Sequence, residues 1–326
     1  MGFLSKFERA ETADRRHVIG ASAAPVILGL SPWQTPMGLF LQMQDGGDIA
    51  DNEAMERGRF LESSVLAWTG ARTGAKAIEP GIPLDEPGIA GPEPFMQFHP
   101  DGAFWYDNPP YRADSAFWRV AEIKTARQNN GWGEDGTDQI PPYYLAQVQF
   151  QLACLPGVKE AQVGVYIGSE DKLRTYVVKS DHEFQRFMVE AIGEWCYRSI
   201  VLGQAPALDG SAATATYLQR KFPKPLLGIR PAVASEAALV SELASVKQAI
   251  AASEARESEL TNLLRDAIGE AEGVEVEGVG KVTWRHVSGG ATANMTKLRG
   301  DFPEVWEQVK RIGADRRDVR FWPAKG

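Results

Sequence analysis

The segment that most constrains the fold is RVAEIKTA, residues 119–126. It reads as a strand bound for a core. Side chains two apart in a strand share a face, so Glu122 and Lys124 point one way and Ile123 the other. A sheet that buries this strand must answer the carboxylate, because an unpaired charge there is costly. Two answers are open. Lys124 is simply the partner ion, or the pair is half of a metal site that cuts a phosphodiester.

The flanking sequence supplies the rest of such a sheet. IGASAAPVILGLSPWQTPMGLFLQMQ predicts two short helices. Ser22 is the expected N-cap of the first and Gly29 its stop; Ser31-Pro32 and Thr35-Pro36 open the second, with Pro36 suited to its first turn and Leu39, Phe40 and Met43 on one face. NEAMERGRFLESSVLAWTGART predicts a third helix with Leu61, Val65 and Trp68 as its buried stripe. From about residue 77 to 126 the pattern turns to strands, punctuated by Gly, Pro and Asp. IPPYYLAQVQFQLACLPG is then a helix begun by Pro141 and Pro142. Leu145, Val148, Leu152 and Leu155 line one face, with Gln147 and Gln151 off that stripe. A hairpin follows, EAQVGVYIG and LRTYVVKS, and then a helix capped by Ser180 or Asp181. Helices, strands, helix, hairpin, helix: the order implies an α/β core with a mixed sheet.

Residues 203–230 are rich in Pro, Gly, Ala and Thr and read as a linker. Residues 1–209 are therefore expected to form one domain and 210–326 a C-terminal region. That region opens with a long helix, about 234–269. Leu239, Leu243, Val246, Ile250, Leu260 and Leu264 keep a heptad-like spacing, with Ser253 and Glu257 as polar occupants. A helical hairpin arm, a helix packed on the main domain and a self-associating coiled coil all fit. VEVEGVGKVTWRHV reads as a hairpin turning at Gly278 or Gly280. The basic, aromatic tail either docks through Phe321 or Trp322 or touches DNA.

Composition narrows the class. A net charge of −8 excludes a chain coated in positive charge for generic nucleic-acid binding, though not a local basic groove. Two cysteines, Cys154 and Cys196, cannot form a four-cysteine zinc or iron–sulfur site and read as buried thiols. No apolar run approaches the roughly 18 residues of a membrane span, and the start of the chain has no secretory apolar region. A soluble, cytoplasmic protein is expected.

An acid-x-lysine triplet alone says little. A second copy, Glu170-Asp171-Lys172, falls in the hairpin turn and reads as solvated charge. Glu122 and Lys124 differ because HPDG, residues 99–102, precedes them at a strand entrance. Two strands of one hairpin would bring Asp101 beside Glu122. Two carboxylates, the Ile123 carbonyl and water make an oxygen-rich site suited to Mg²⁺, with Mn²⁺ as substitute. Such a metal polarises a scissile phosphate and acidifies water, while Lys124 positions that water or offsets developing charge.

These stretches resemble a known family. HPDG, AEIKTA and IPPYYLAQVQFQLA are similar to the YqaJ-type viral recombinases, relatives of lambda exonuclease within the PD-(D/E)xK nuclease superfamily. RRHVIGASAAPVILGLSPWQTP, ERGRFLESSVLAW and WGEDGTDQIPPYYLAQVQ resemble that family too. The likeness covers roughly residues 12–205 in five ordered blocks.

The resemblance implies a restriction-endonuclease-like core, a mixed central sheet flanked by helices. It implies that Asp101 and Glu122, with the Ile123 carbonyl, bind the catalytic metal, and that Lys124 serves the nucleophilic water. Glu62 would reach a second metal or its water shell, unless it is an ordinary exposed helix acid. Gln147 would contact water or phosphate over the site, unless it is a helix-face amide bonded to backbone; Gln149 is a weaker choice. Ser22 with Arg15 or Arg16 would receive the 5′-phosphate of a DNA end, unless Ser22 only caps its helix. One departure concerns spacing. Asp101 lies far from Glu122 in sequence, so Asp114 is the rival ligand, and Asp107 reads as solvated.

The implied activity is that of a Mg²⁺-dependent, phage- or prophage-encoded DNA exonuclease in a bacterial host. It would act 5′ to 3′ on double-stranded ends. It would leave single strands for an annealing partner in homologous recombination, and homo-oligomers would close around DNA. The alternatives are another endonuclease of the superfamily, or a catalytically inactive DNA-end-binding module.

Overall fold

The computed structural model describes residues 18–46, 52–107, 117–225, 228–290, 292–311 and 319–321. A 3₁₀ turn, Ala21–Ala23, runs into the four-residue helix α1, Ala24–Ile27. The residue before the turn is Gly20, and no side chain caps it. Ser22 therefore lies inside the turn, exposed, and is not the expected N-cap. Gly29, at φ +71°, ends the helix as expected.

Helix α2, Pro36–Gln44, is capped by Thr35, whose hydroxyl accepts the Gly38 N–H at 3.2 Å. It buries Met37, Leu39, Phe40, Leu41 and Met43. Helix α3, Glu53–Thr73, starts on Asn52, which accepts from the N–H groups of Ala54 and Met55. It stops at Gly74 in the left-handed conformation. Its buried face is Val65, Leu66, Thr69 and Gly70, whereas Trp68 is 47% exposed. The expected stripe is thus rotated. Near its C-terminal end the helix lies close against strands, and Thr69 and Gly70 take the contact there. A Cβ on Gly70 would stand 2.5 Å from Ile78.

Among the described residues, seven strands follow: β1 Ala77–Pro80, β2 Ile89–Ala90, β3 Gln97–Phe98, β4 Gly102–Trp105, β5 Trp118–Ala126, β6 Glu160–Ile167 and β7 Lys172–Lys179. Five of them form the central sheet in the order β1-β4-β5-β6-β7; β2 and β3 pair separately. The sheet is antiparallel except at β5 and β6. A parallel pair needs a crossover connection, and helix α4, Pro142–Ala153, lies within it.

Alternation along β5 and β6 gives the sheet two apolar faces. Val120, Val163 and Val165 pack with Val148 and Leu152 of α4 in the larger core. Ala121 and Ile123 pack on the other side with Val65 and Leu66 of α3. Helix α5, His182–Cys196, adds Met188 and Ile192 to the larger core and is capped by Asp181, not Ser180. Of the stripe expected on α4, Val148, Leu152 and Leu155 are buried and Leu145 is exposed. The result is the mixed α/β core expected from sequence, a central sheet flanked by helices.

Both cysteines are buried in this core as free thiols. Burial raises both, Cys196 to about 12 and Cys154 further.

The chain divides into compact units Met1–Arg220 and Lys221–Gly326. Helix α6, Ala212–Lys221, packs mainly in the first, where Tyr217 meets Phe40 and Arg220 pairs with Asp45 at 2.9 Å. The segment assigned from sequence to the C-terminal region thus begins as part of the first unit. Ser211 caps α6, and Asp209 accepts hydrogen bonds from the Ser211 backbone and the Thr214 hydroxyl.

The second unit opens with α7, Ala234–Ile268, close to its expected span. Its heptad-like residues, Leu239 to Leu264, are all exposed, between 37% and 67%. Strands β8, Gly273–Val276, and β9, Gly280–Thr283, form the expected hairpin, with Gly278 at φ +74° in its turn. Two short helices, α8 Met295–Asp301 and α9 Pro303–Val309, follow. Phe321 is half-buried, and Trp322 lies outside the described residues. Among the described residues, no helix is long and apolar enough to cross a membrane.

Candidate active site

The antiparallel register of β4 and β5 sets Gly102 opposite Ala121. Asp101 is therefore level with Glu122, at the point where the HPDG turn enters the sheet. The turn is tightly backed: a Cβ on Gly81 would fall 2.1 Å from the Pro100 carbonyl oxygen. Asp101 Oδ2 accepts the Ile123 N–H at 2.6 Å. That bond holds its carboxylate on the strand carrying Glu122 and Lys124.

Glu122 is only 1% exposed. It does not point into bulk water, and both of its oxygens are engaged. Gln147 Nε2 donates to Oε1 at 2.7 Å, and Gln151 Nε2 donates to Oε2. Residues four apart on a helix share a face, so α4 presents the two amides together. Lys124 Nζ pairs with Glu122 Oε1. Its side chain is 20% exposed, and its ammonium lies 5.3 Å from the centre of the Tyr144 ring.

The electrostatics follow from this crowding. Burial, and then the charge of Glu122, raises Asp101 well above the usual carboxylate range; Lys124 offsets part of the effect. Burial also raises Glu62, while Lys124 pulls it down and Glu122 pushes it up. Burial alone would lower Lys124. The charges of Glu122 and Asp101 outweigh it and hold the ammonium above its usual range.

Two neighbouring recesses border the cluster. One, of about 390 Å³, is lined by Arg59, Glu62, His99 and Asp101 among others. The other, of about 350 Å³, is lined by Ser22, Met55, Gln97, His99, Gln147 and Gln151 among others. His99 and Leu84 line both. Asp101, Glu122, Lys124, Glu62 and Gln147 thus converge, and Ser22 faces the same recess as Gln147.

Other residues considered from sequence stand elsewhere. Gln149 bonds to the Lys179 carbonyl, the Asp181 N–H and Gln185, and so braces the start of α5. Asp107 accepts from the Phe117 N–H beyond the far end of β4. In the β6–β7 turn, Glu170 pairs with Arg174 and Asp171 accepts from the Tyr166 hydroxyl. Arg15, Arg16 and Asp114 lie outside the described residues. Sequence reasoning gave no role to Gln151 or Tyr144. The signal for Gln151 was its spacing of four from Gln147.

The donor chemistry suits a hard divalent cation: the Asp101 and Glu122 carboxylates and the Ile123 carbonyl are all oxygen. Among the described residues, no three His, Cys, Asp or Glu side chains are placed to hold a metal by themselves. A cation here would rest on two carboxylates, backbone oxygen and water.

Comparison with known proteins gives four findings. Residues 12–158 match the family model of the YqaJ-like viral recombinase domain. Over 310 residues the chain is 28% identical to "Uncharacterized protein YqaJ" of Bacillus subtilis (strain 168), across 93% of this chain and 91% of that protein. A solved alkaline exonuclease from Laribacter hongkongensis aligns over 64% of this chain and 95% of its own, at 17% identity and a TM-score of 0.42. A complex of that enzyme, LHK-Exo, with dAMP aligns over the same shares at 19% identity and the same TM-score.

Proposed function

From the match of residues 12–158 to the YqaJ-like viral recombinase domain model, we propose that this protein is a phage-type DNA exonuclease. It uses a divalent metal, Mg²⁺ or Mn²⁺, and degrades double-stranded DNA from 5′ ends. The observation that carries this reading is the convergence of Asp101, Glu122 and Lys124 on adjacent strands, with Glu122 buried. The first compact unit would form the nuclease domain.

Asp101, Glu122 and the Ile123 carbonyl would hold the metal, with Glu62 as a further acid beside them. Bound there, a divalent cation supplies Lewis acidity toward phosphate and acidifies water. Gln147 and Gln151 fix the Glu122 carboxylate so that its oxygens meet the site in one orientation. Lys124, kept charged by its acidic neighbours, orients the attacking water and offsets negative charge on the phosphate as it reacts. Ser22 caps no helix, so its hydroxyl is available to a 5′-phosphate in the recess it shares with Gln147. Arg15 or Arg16 completes that grip. The single strands released would pass to an annealing protein in the cytoplasm of a bacterial host, and a homo-oligomer around the duplex would keep the enzyme on its track.

The test is digestion by the purified full-length chain with Mg²⁺. Linear duplexes with 5′-phosphate or 5′-hydroxyl ends are compared with closed circles. Progressive loss from phosphorylated ends is expected. Cutting of circles would make the protein an endonuclease. Binding without cutting, under several metals, would make it an inactive end-binding module.

A further inference from the structure

Trp33 is 69% exposed, yet its position is held firmly. Ser31 Oγ accepts from the N–H groups of Trp33 and Gln34, both at 3.3 Å. Gln34 donates to Gln42 at 2.7 Å, and Thr35 caps α2. The turn thus presents a large apolar ring to water from a braced backbone, an uncommon use of tryptophan.

The ring does not stand alone. It meets Tyr143 at 4.7 Å between centroids and Tyr144 at 6.0 Å. Tyr143 and Tyr144 meet at 4.4 Å, and Tyr144 packs on Trp132 at 5.3 Å. Tyr144 is also the ring beside the Lys124 ammonium. A line of rings therefore runs from an open indole to the cluster of acids, with Tyr144 touching both Trp33 and Lys124. Nucleobases stack on such rings whatever their sequence, because every base has a π-face. A phosphate at Lys124 brings its neighbouring bases within reach of this surface.

We propose that Trp33, backed by Tyr143, is a stacking platform for a nucleobase beside the phosphate at Lys124. This rests on the nuclease reading and adds a base-binding site to it. Stacking positions the strand and makes no use of base identity, as an enzyme that degrades any sequence requires.

The test measures binding of a 5′-phosphorylated duplex by the full-length protein, with Ca²⁺ replacing Mg²⁺ to suppress cutting. Wild type, Trp33→Ala and Trp33→Phe are each measured on intact duplex and on duplexes with one abasic nucleotide at each of several positions near the end. Trp33→Ala is expected to weaken binding about 5- to 100-fold, the range of one stacked base, and Trp33→Phe to recover most of the loss. At one position the abasic site should cost wild type as much as Trp33→Ala does, and cost Trp33→Ala nothing more. Unchanged melting temperatures show that both variants are folded. Wild-type affinity in folded Trp33→Ala overturns the platform, as do abasic penalties that add in full at every position. If wild type binds DNA but never cuts it with Mg²⁺, the nuclease reading fails while the binding cycle still decides the platform. If wild type binds no DNA, both fall.

Discussion

Asp101 and Ile123 lie 22 residues apart, yet the backbone N–H of Ile123 donates to Asp101 Oδ2 at 2.6 Å. One carboxylate is thus built into the strand that carries the other. An asparagine at 101 can accept the same bond through its carbonyl while losing the charge. Asp101→Asn is therefore expected to fold normally and to lose cutting by about 100-fold or more, as loss of a charge-stabilising group does. Digestion of a linear duplex alongside thermal melting checks it. Asp114→Asn is the companion: loss of cutting there, with Asp101→Asn still active, would transfer the role to Asp114.

Lys124→Ala removes the ammonium but leaves Glu122 both of its amide donors. The variant is expected to remain folded, to melt below wild type in metal-free buffer, and to cut no DNA. The lower melting temperature follows from leaving buried acids without their cation. Circular dichroism and a nuclease assay give both readouts, and normal cutting by the folded variant would remove Lys124 from the chemistry.

Gln151→Leu keeps the size of the side chain and deletes its donor to Glu122 Oε2. Hydrogen bonds to charged groups are worth about 1.5–3 kcal/mol, so a loss of roughly 2 kcal/mol is expected in urea unfolding. Cutting should fall with it, because Glu122 is then held at one oxygen only. An unchanged midpoint would show that the amide does not support the carboxylate.

Gly164→Ala tests how closely α3 lies on the sheet. The added Cβ would stand 2.1 Å from Thr69 Oγ1, a clash expected to cost about 1–3 kcal/mol. Thr69→Ala in the same chain should recover most of the loss. If it does not, the contact is not its source.

Asp209 supplies the pH dependence. Its hydrogen bonds, from Ser211 first and then Thr214, lower its pKa to about 2. A carboxylate depressed in the folded state stabilises the fold above its unfolded pKa, about 3.9, and that contribution fades as pH falls toward the folded value. Asp209→Asn should therefore melt below wild type at neutral pH, with the gap closing between about pH 4 and pH 2. A gap that stays constant down to pH 2 would count against the hydrogen-bonded carboxylate.

The element order was legible because the strands and helices keep clean periods, and Thr35, Asp181 and Gly29 act as sequence rules expect. The convergence of Asp101 with Glu122 was legible because a turn-forming HPDG precedes an apolar strand ending in charge. Trp68 was misplaced for a physical reason. Periodicity favours large apolar residues for a core, but near the end of α3 the close approach to the sheet is taken by Thr69 and Gly70, and that spacing is not written in one helix. Gln151 was missed because an amide beside an apolar stripe has no meaning until Glu122 stands opposite. Ser22 failed as a cap because a 3₁₀ turn, invisible to helical spacing, leads into α1.

The two thiols offer a practical consequence. Cys154 and Cys196 are sealed in the core and strongly disfavour the thiolate, so the native chain is chemically quiet toward maleimides and similar reagents. A single cysteine installed on an outward-facing position such as Ser253 of α7 becomes its sole handle. A fluorophore or spin label placed there can follow the protein without stripping the native residues first.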